Sequence, residues 1–486
     1  MFPTDAPLVC SQRMCSSAGC SRFAIKPSKH AVDWCGVSGL VRALADSLLR
    51  VTEQAVSPAA RQVRVGLLGC GNVGGALVPL LRAQRDSIAA RTGLDLSVRS
   101  VAVRNMSRDR GVDLGDAQLT NDAMAVVSDP DIDVIVEVIG GIEPARELII
   151  AALSAGKPVI TGNKELLANH GAELFELADS NGVDLLFEAA VAGGIPLIRP
   201  LRESLRGEPV SRVMGILNGT TNYILSKMTN EGADYADALS EAQRLGYAER
   251  DPTADVEGFD AGAKAAIIAS IAFGVKVVAG DVYHEGISNI TASDIAIAGR
   301  LGYVVKLLGI AEQERETGEV AVRVHPAMVP NEHPLASVRD SYNAVFVEGD
   351  AVGSLMFYGR GAGGGPTASA VLGDLIDAAV NLSQGTHGSL GVFQRARVRP
   401  IDATSAEYLL ALDVLDQPGV LHSVTGVFAQ HGVSIRAAEQ EGAGEEARLV
   451  FITHEAVESS VQATVRQLRE LDVVRRIGGL IRVIGA

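Results

Sequence analysis

Gly69-Cys70-Gly71-Asn72-Val73-Gly74 has the spacing G-x-G-x-x-G, directly after an apolar run and at the start of a helical one. Its chemistry would be the binding of a dinucleotide. The first glycine permits a tight turn, and the second lets a pyrophosphate approach the backbone. The third lets helix and strand pack closely, with helix N–H groups facing the phosphates. Further along, Asp260 and Lys264 stand four residues apart in Gly258–Lys264. On a helix they share a face and can pair. At a surface such a pair contributes roughly a few tenths of a kcal/mol. Ala261–Ala272, however, is almost wholly apolar apart from Lys264, so that lysine is expected to be paired or to face a cleft. Lys164, in Thr161–Leu167, follows a short strand-like run; it could hold a nicotinamide or substrate oxygen, or simply cap a helix entry. Gly246–Asp255 packs three acids, Glu249 among them, into a turn-rich stretch.

Absences narrow the chemistry. A thioester route needs a cysteine nucleophile, and beyond residue 60 only Cys70 exists, inside the glycine turn. The nine histidines show no H-x-x-x-H or related spacing, which leaves catalytic zinc unsupported. Lysine and carboxylate chemistry remains, and it suits direct hydride transfer between a carbonyl and a nicotinamide.

These residues need elements to position them. Val63–Leu68 reads as a strand, Gly74–Arg91 as a helix and Leu96–Val103 as a second strand. Val134–Ile139 is a continuous apolar run, the mark of a strand covered on both faces. A helix over Pro144–Ala155 and a strand over Pro158–Thr161 follow. The alternation predicts an α/β, Rossmann-type doubly wound parallel sheet over residues 61–185. Arg104 and Arg108 follow its second strand, where NAD sites usually carry an acid. Cations there can pair with a 2′-phosphate and favour NADP, with NAD as the alternative and a solvated surface charge as the bland reading. Residues 186–400 mix strand-like runs (Val213–Leu217, Val320–Val324, Ala344–Glu348) with helical segments (Asp234–Leu245, Asp260–Ala272, Asp294–Leu308), implying an α+β catalytic and oligomerisation domain. Residues 405–486 read strand-helix-strand-strand-helix-strand. Its first strand–helix junction is Asp416-Gln417-Pro418-Gly419-Val420-Leu421.

Composition sets outer bounds. The 486 residues hold 43 Lys+Arg against 58 Asp+Glu, a net charge of −15 without any basic block, which makes nucleic acid or an anionic membrane an unsuitable partner. No run of about 20 apolar residues could span a bilayer, and the first 40 residues lack the parts of a signal peptide; a cytoplasmic location is expected. Cys10, Cys15, Cys20 and Cys35 precede the fold at steps unlike those of structural zinc sites. Residues 1–60 are therefore expected to be a disordered extension containing one helical segment near Val37–Val51.

From Arg61 onward the chain resembles homoserine dehydrogenase in its monofunctional form with a C-terminal ACT domain. The resemblance is carried by Thr161–Leu167, Phe187–Pro196, Gly215–Ile224, Gly246–Lys264, and Gly361-Ala362-Gly363 before Pro366–Ala370. It implies NAD(P)-dependent interconversion of L-aspartate 4-semialdehyde and L-homoserine by a homodimer or homotetramer. Lys264 would give the proton to the aldehyde oxygen, supported by Asp260. Lys164 would lie beside nicotinamide and substrate, and Glu249 would take the substrate's ammonium. The implied cofactor contacts are Gly69, Gly71, Asn72, Val73, Gly74, Arg104, Arg108, Ile139, Gly140, Lys164, Gly361 and Gly363. A monovalent cation, sodium in the family, would be held at Glu188 and by backbone oxygens of Val191, Gly193 and Ile195. Backbone N–H groups at Asp416, Gly419 and Val420 would hold an amino-acid effector's carboxylate, threonine if one binds, the alternative being a ferredoxin-like dimerisation module without ligand. Arg360 departs from the family, in which many members carry proline there. The alternative is a non-catalytic amino-acid sensor, whose mark would be loss of Lys164, Glu249, Asp260 or Lys264; all four are present.

Overall fold

Arg61–Leu68, with Val63, Val65, Leu67 and Leu68 buried, forms β1, and the glycine turn after it releases the chain into α1 (Asn72–Thr92). The chain continues through β2 (Leu94–Ala102), β3 (Gln118–Thr120), α2 (Ala123–Ser128), β4 (Val134–Glu137), α3 (Ala145–Ser154), β5 (Val159–Thr161), α4 (Lys164–Asn181) and β6 (Leu185–Leu186). This computed structural model describes residues 60–391, 393–442 and 446–485. The expected extension and its helix near Val37–Val51 lie outside them, Ala60 excepted. All six strands are parallel, in the order β3-β2-β1-β4-β5-β6. That is the expected doubly wound order, with its switch point between β1 and β4, where ligands enter at the strands' carboxyl ends.

A second sheet begins with β7 (Val210–Ile216). Helices α5 (Gly219–Glu231), α6 (Tyr235–Arg244), α7 (Phe259–Phe273) and α8 (Ala292–Arg300) follow, then β8 (Tyr303–Gln313), β9 (Glu319–Pro330), β10 (Tyr342–Gly349), β11 (Gly353–Arg360) and α9 (Gly364–Gln384). The tail supplies β12 (Ser405–Leu415), α10 (Val420–Gln430), β13 (Ile435–Glu441), β14 (Glu446–Thr453), α11 (Glu458–Leu468) and β15 (Val474–Val483). Strand order runs β11-β10-β7-β8-β9-β15-β12-β14-β13. The tail's four strands thus extend the catalytic sheet, joined to it by two parallel pairs, Ala327 with Arg482 and Met328 with Val483.

One sequence expectation needs correcting. Asp294–Leu308 was expected to be a helix, yet the helix ends at Arg300 and Tyr303–Gln313 is a strand. Gly302, at φ +83°, turns the chain between them, a conformation glycine adopts without a Cβ penalty. The strand is apolar on both faces: Val305, Leu307 and Ala311 enter the core under α7, while Leu308 and Ile310 enter a separate cluster with Met214 and Phe346. A strand buried on both sides loses the alternation that would betray it.

The tail sheet is two-sided in the same way. Tyr408, Leu410, Leu412 and Phe451 pack under the tail helices with Val424, Phe428 and Val465. Leu409, Ala411, Val450, Ile452 and Ile481 belong instead to the main core with Ile290, Ile295 and Ile297. Helix α9 returns to the first sheet, burying Ala368, Val371, Leu375 and Ala379 with Val65, Leu67 and Leu77.

A buried lysine pins α5. Lys306 Nζ donates to Asn222 Oδ1 (2.9 Å) and Val338 O (2.5 Å), with no carboxylate in the set. Burial, reinforced by Arg339, pulls its pKa from 10.5 down to about 8. The folded state therefore binds fewer protons than the unfolded one between those values, so this group's contribution to stability rises with pH across the interval. Urea denaturation from pH 7 to 10 should show the wild type gaining stability relative to Lys306→Met above about pH 8. A difference independent of pH would show that the lysine is not charged against its surroundings.

Candidate active site

Each glycine of the turn meets a different constraint. Gly69 sits at φ +99°, and a Cβ there would lie 2.8 Å from Val138 O. At Gly74 a Cβ would collide with the carbonyl oxygen of Gly69, whereas at Gly71 it would meet nothing within 4 Å. Open space at the middle glycine is what an approaching pyrophosphate needs. Helix α1 starts there with no side-chain cap and no acid in its first turn, leaving N–H groups and the positive end of its dipole for an anion. The start of α9 is packed against it, since a Cβ at Gly364 would be 2.7 Å from Asn72 O. Gly361 and Gly363 lead into that contact, and Gly361 lies directly against Gly193.

Glu137, which the sequence did not single out, fixes the neighbouring turn. Its carboxylate accepts Ile139 N (2.7 Å), Gly140 N (3.2 Å) and Thr161 Oγ1 (2.6 Å). Asn163 then caps α4 through Leu166 N (3.1 Å) and donates to Gly141 O (2.6 Å). These bonds place Lys164 as the first residue of α4, at the carboxyl end of β5.

Across the cleft, Gly258 at φ +84° turns the chain into α7, whose first turn carries Asp260. That carboxylate bridges two lysines: Oδ1 meets Lys164 Nζ at 2.5 Å and Oδ2 meets Lys264 Nζ at 2.7 Å. Lys264 also donates to Leu217 O (2.7 Å), and both Asp260 and Lys264 are only 8% exposed. The pairing expected for a lysine in so apolar a helix is present. Burial pushes the Asp260 pKa upward, but Lys264 and Lys164 outweigh it and hold the carboxyl well below its usual range. Burial likewise pulls Lys164 down, and Asp260 more than offsets it, keeping the ammonium above its ordinary value. The site holds an anion between cations at neutral pH.

Asn218, within Gly215–Ile224, is a further member to which the sequence alone assigns no role. Its Nδ2 donates to Asp260 Oδ2 (2.9 Å) and Asp255 Oδ1 (2.7 Å), while its Oδ1 caps α5 at Thr221 N (2.9 Å). Burial, with Asp260 adding, raises the Asp255 pKa against the Asn218 bond. The readable signal was an N-cap asparagine before Gly219-Thr220-Thr221. Glu249 stands apart: it is exposed, and among the described residues only its backbone oxygen is bonded, by Gln243. Thr220 bonds the nearby Tyr247 O (2.7 Å), which seats that loop beside α5. Arg104 and Arg108 are exposed on the segment after β2. Arg110, also unassigned from sequence, folds back onto the carbonyls of Asn105 and Arg108.

The expected cation residues form one loop. The Glu188 carboxylate accepts Leu197 N (2.5 Å), Ile198 N (2.7 Å) and Arg199 N (2.8 Å), so its side chain is committed to backbone donors. Ala192 and Gly193 both adopt φ +56°. Among the described residues the carbonyl oxygens of Val191, Gly193 and Ile195 receive no hydrogen bond. In the tail, Gly419 (φ +92°) starts α10 without a side-chain cap, and Val420 is buried. Asp416 Oδ1 reaches Gln440 Nε2 at 3.5 Å.

A phosphate-binding turn at the switch point of a parallel sheet, with lysines on a shared buried carboxylate, defines a dinucleotide-dependent oxidoreductase. Comparison with known proteins narrows the class. The family model for the NAD-binding domain of homoserine dehydrogenase matches residues 69–188, that for homoserine dehydrogenase matches 196–376, and that for the ACT domain matches 408–473. A homoserine dehydrogenase of Corynebacterium glutamicum is 50% identical over 426 residues, 87% of this chain and 95% of its own. The crystal structure of a homoserine dehydrogenase from Thiobacillus denitrificans has a TM-score of 0.83 at 42% identity, covering 87% of this chain and 98% of that one. A hyperthermophilic archaeal homoserine dehydrogenase in complex with NADPH has a TM-score of 0.57 at 29% identity, over 66% of this chain and 98% of its own. The chain belongs to the homoserine dehydrogenase family and ends in an ACT domain.

Because a Cβ on the third glycine would collide with the Gly69 carbonyl oxygen, Gly74→Ala should weaken NADPH binding about tenfold, from an overpacking cost of about 1–3 kcal/mol. Fluorescence titration checks this; unchanged affinity would remove the close-packing role.

Proposed function

We propose that the chain interconverts L-aspartate 4-semialdehyde and L-homoserine, with NADP preferred over NAD. The observation that carries the reading is the single buried carboxylate shared by Lys164 and Lys264. The nicotinamide, when bound, supplies or takes the hydride. In the reducing direction Lys264 Nζ gives its proton to the aldehyde oxygen as negative charge develops there. Asp260 pairs with that lysine and aims it, and Lys164 adds a second positive charge at the same oxygen and beside the nicotinamide. Glu249, exposed and without a side-chain partner among the described residues, takes the substrate's ammonium. The presence of all four residues, with Lys164, Asp260 and Lys264 brought together, favours an enzyme over a non-catalytic sensor.

Gly69, Gly71, Asn72, Val73 and Gly74 would hold the pyrophosphate, with Ile139, Gly140, Gly361 and Gly363 around it. Arg104 and Arg108 would meet a 2′-phosphate, and the named NADPH complex of an archaeal relative supports that preference. Three unbonded carbonyls in a buried loop fit a monovalent cation such as sodium. Val191, Gly193 and Ile195 would hold it, with Glu188 contributing through its main chain, and its charge would fix the loop against Gly361. The uncapped turn at Asp416, Gly419 and Val420 suits the carboxylate of an amino-acid effector, threonine being our candidate. No helix among the described residues is long and apolar enough to cross a membrane, in keeping with a cytoplasmic enzyme, and the edge strand β11 offers a surface for a homodimer or homotetramer.

The test is homoserine-dependent reduction of NADP and of NAD, followed by nicotinamide absorbance. Lys264→Ala should lower kcat at least about a hundredfold, the scale of a positioned general acid, and Arg104→Ala should narrow the preference for NADP. A folded wild type that binds NADPH but does not turn over homoserine would sink the substrate assignment.

A further inference from the structure

The helix that carries Asp260 and Lys264 has a notch on its opposite side. At 3.6 residues per turn, Gly262 lies about 200° around α7 from both Asp260 and Lys264, and it shares a face with Phe259. A Cβ at Gly262 would overlap Nε2 of the His284 ring and lie 2.7 Å from its Cδ2. We propose that His284 is a positioning residue for the reaction, a strut whose ring seats in that notch and sets how far Asp260 and Lys264 advance toward Lys164. The inference deepens the functional reading given above and rests on it.

His284 is itself firmly held. Tyr283 and His284 pair in parallel with Arg323 and Val324 of β9, and Glu285 N donates to Val324 O (2.8 Å). Phe259 packs on the imidazole, with ring centroids 5.0 Å apart. Burial pulls the His284 pKa below its ordinary value, against a bond to the Val282 backbone. The ring is therefore neutral at neutral pH, and what it presents to α7 is shape. The turn before the helix rests on the same shelf. A Cβ at Gly258 would lie 2.9 Å from Val324 Cγ1, and Ile287 N donates to Val256 O (2.8 Å). Gly262 is not among the glycines at positive φ, and a glycine inside a helix weakens it relative to alanine. Its use here is the missing Cβ.

On the far side of the helix the fit is as close. Asp260 Oδ1 reaches Lys164 Nζ at 2.5 Å, and Lys264 Nζ donates to Asp260 Oδ2 and Leu217 O, each at 2.7 Å. The first turn of α7 thus stands between an imidazole behind it and an ammonium of the nucleotide-binding half in front. A close-packed interior transmits strain, so a shift at the ring is passed to Asp260. A misplacement of about 1 Å can cost about a hundredfold in rate.

The test compares wild type, Gly262→Ala, His284→Ala and the double variant. The readouts are kcat and KM for homoserine oxidation, NADPH affinity by fluorescence, and the rate at which acetic anhydride acylates Lys164 without substrate, followed by mass spectrometry. Each single variant should lower kcat about tenfold, part of the cost of an ångström's misplacement, with KM and NADPH affinity near wild type. Lys164 should be acylated faster in both, because an ammonium that loses its carboxylate deprotonates more readily. In the double variant the added methyl group occupies space the ring vacates, and both readouts should return most of the way to wild type. Wild-type kcat and acylation in the single variants, a double variant no better than Gly262→Ala, or losses shared equally by KM and NADPH affinity would overturn the proposal. Should Gly262→Ala fail to fold, His284→Ala decides alone. A wild type inactive on homoserine would count against the functional reading, and the acylation arm would still decide whether His284 positions Asp260.

Discussion

One carboxylate almost excluded from water is held between two ammonium groups, and the rest of the catalytic half is built to make that tolerable. A buried charge is costly unless paired and hydrogen-bonded. Asp260 meets the condition with Lys164, Lys264 and Asn218, each delivered by a different element. Lys164 begins a helix of the nucleotide-binding half, Lys264 lies one turn along α7, and Asn218 caps α5. Removing either lysine takes away one of the two cations that offset the burial of Asp260, and removing Asn218 takes away its neutral donor. The two halves are thus held in register by electrostatics at the place where hydride must cross.

A second convergence serves the cofactor. Helix α9 is contributed late in the chain yet lies on the first sheet, and its start is in van der Waals contact with the start of α1. Farther along α9, Asp374 accepts Glu188 N (2.7 Å) and Arg199 Nη2 (2.7 Å). Burial raises the Asp374 pKa to about 7. A single helix therefore links the phosphate turn to the loop proposed to hold a cation.

The legible parts of the sequence were those where local chemistry and local geometry coincide. The glycine turn could be read because each of its three glycines answers a backbone constraint. The Asp260–Lys264 pair could be read because a lysine in a wholly apolar helix needs a partner. The βαββαβ tail was visible because its strands and helices are short and well punctuated. Strand β8 was lost because burial on both faces erases alternation, and β11 because its continuous Leu355–Tyr358 run on a sheet edge shows no alternation. Asn218 and Glu137 were not assigned, because their work depends on partners 42 and 24 residues away, a distance no local motif encodes. Lys164 was placed, but its sharing of one carboxylate with Lys264 became visible only in three dimensions.

The tail follows the catalytic domain in sequence, yet its sheet is continuous with the catalytic one through Ala327–Arg482 and Met328–Val483. Its open face is also part of the main core. A joint of that kind has no hinge. Swinging the tail as a rigid body would peel a strand from a sheet and uncover Leu409, Val450 and Ile481 to water, so motion is restricted to shear along the strands and local give at the Gly478-Gly479 bulge. Any signal originating in this tail must therefore travel as small displacement through a shared solid, and the tail is as much a wall of the enzyme as an attachment to it.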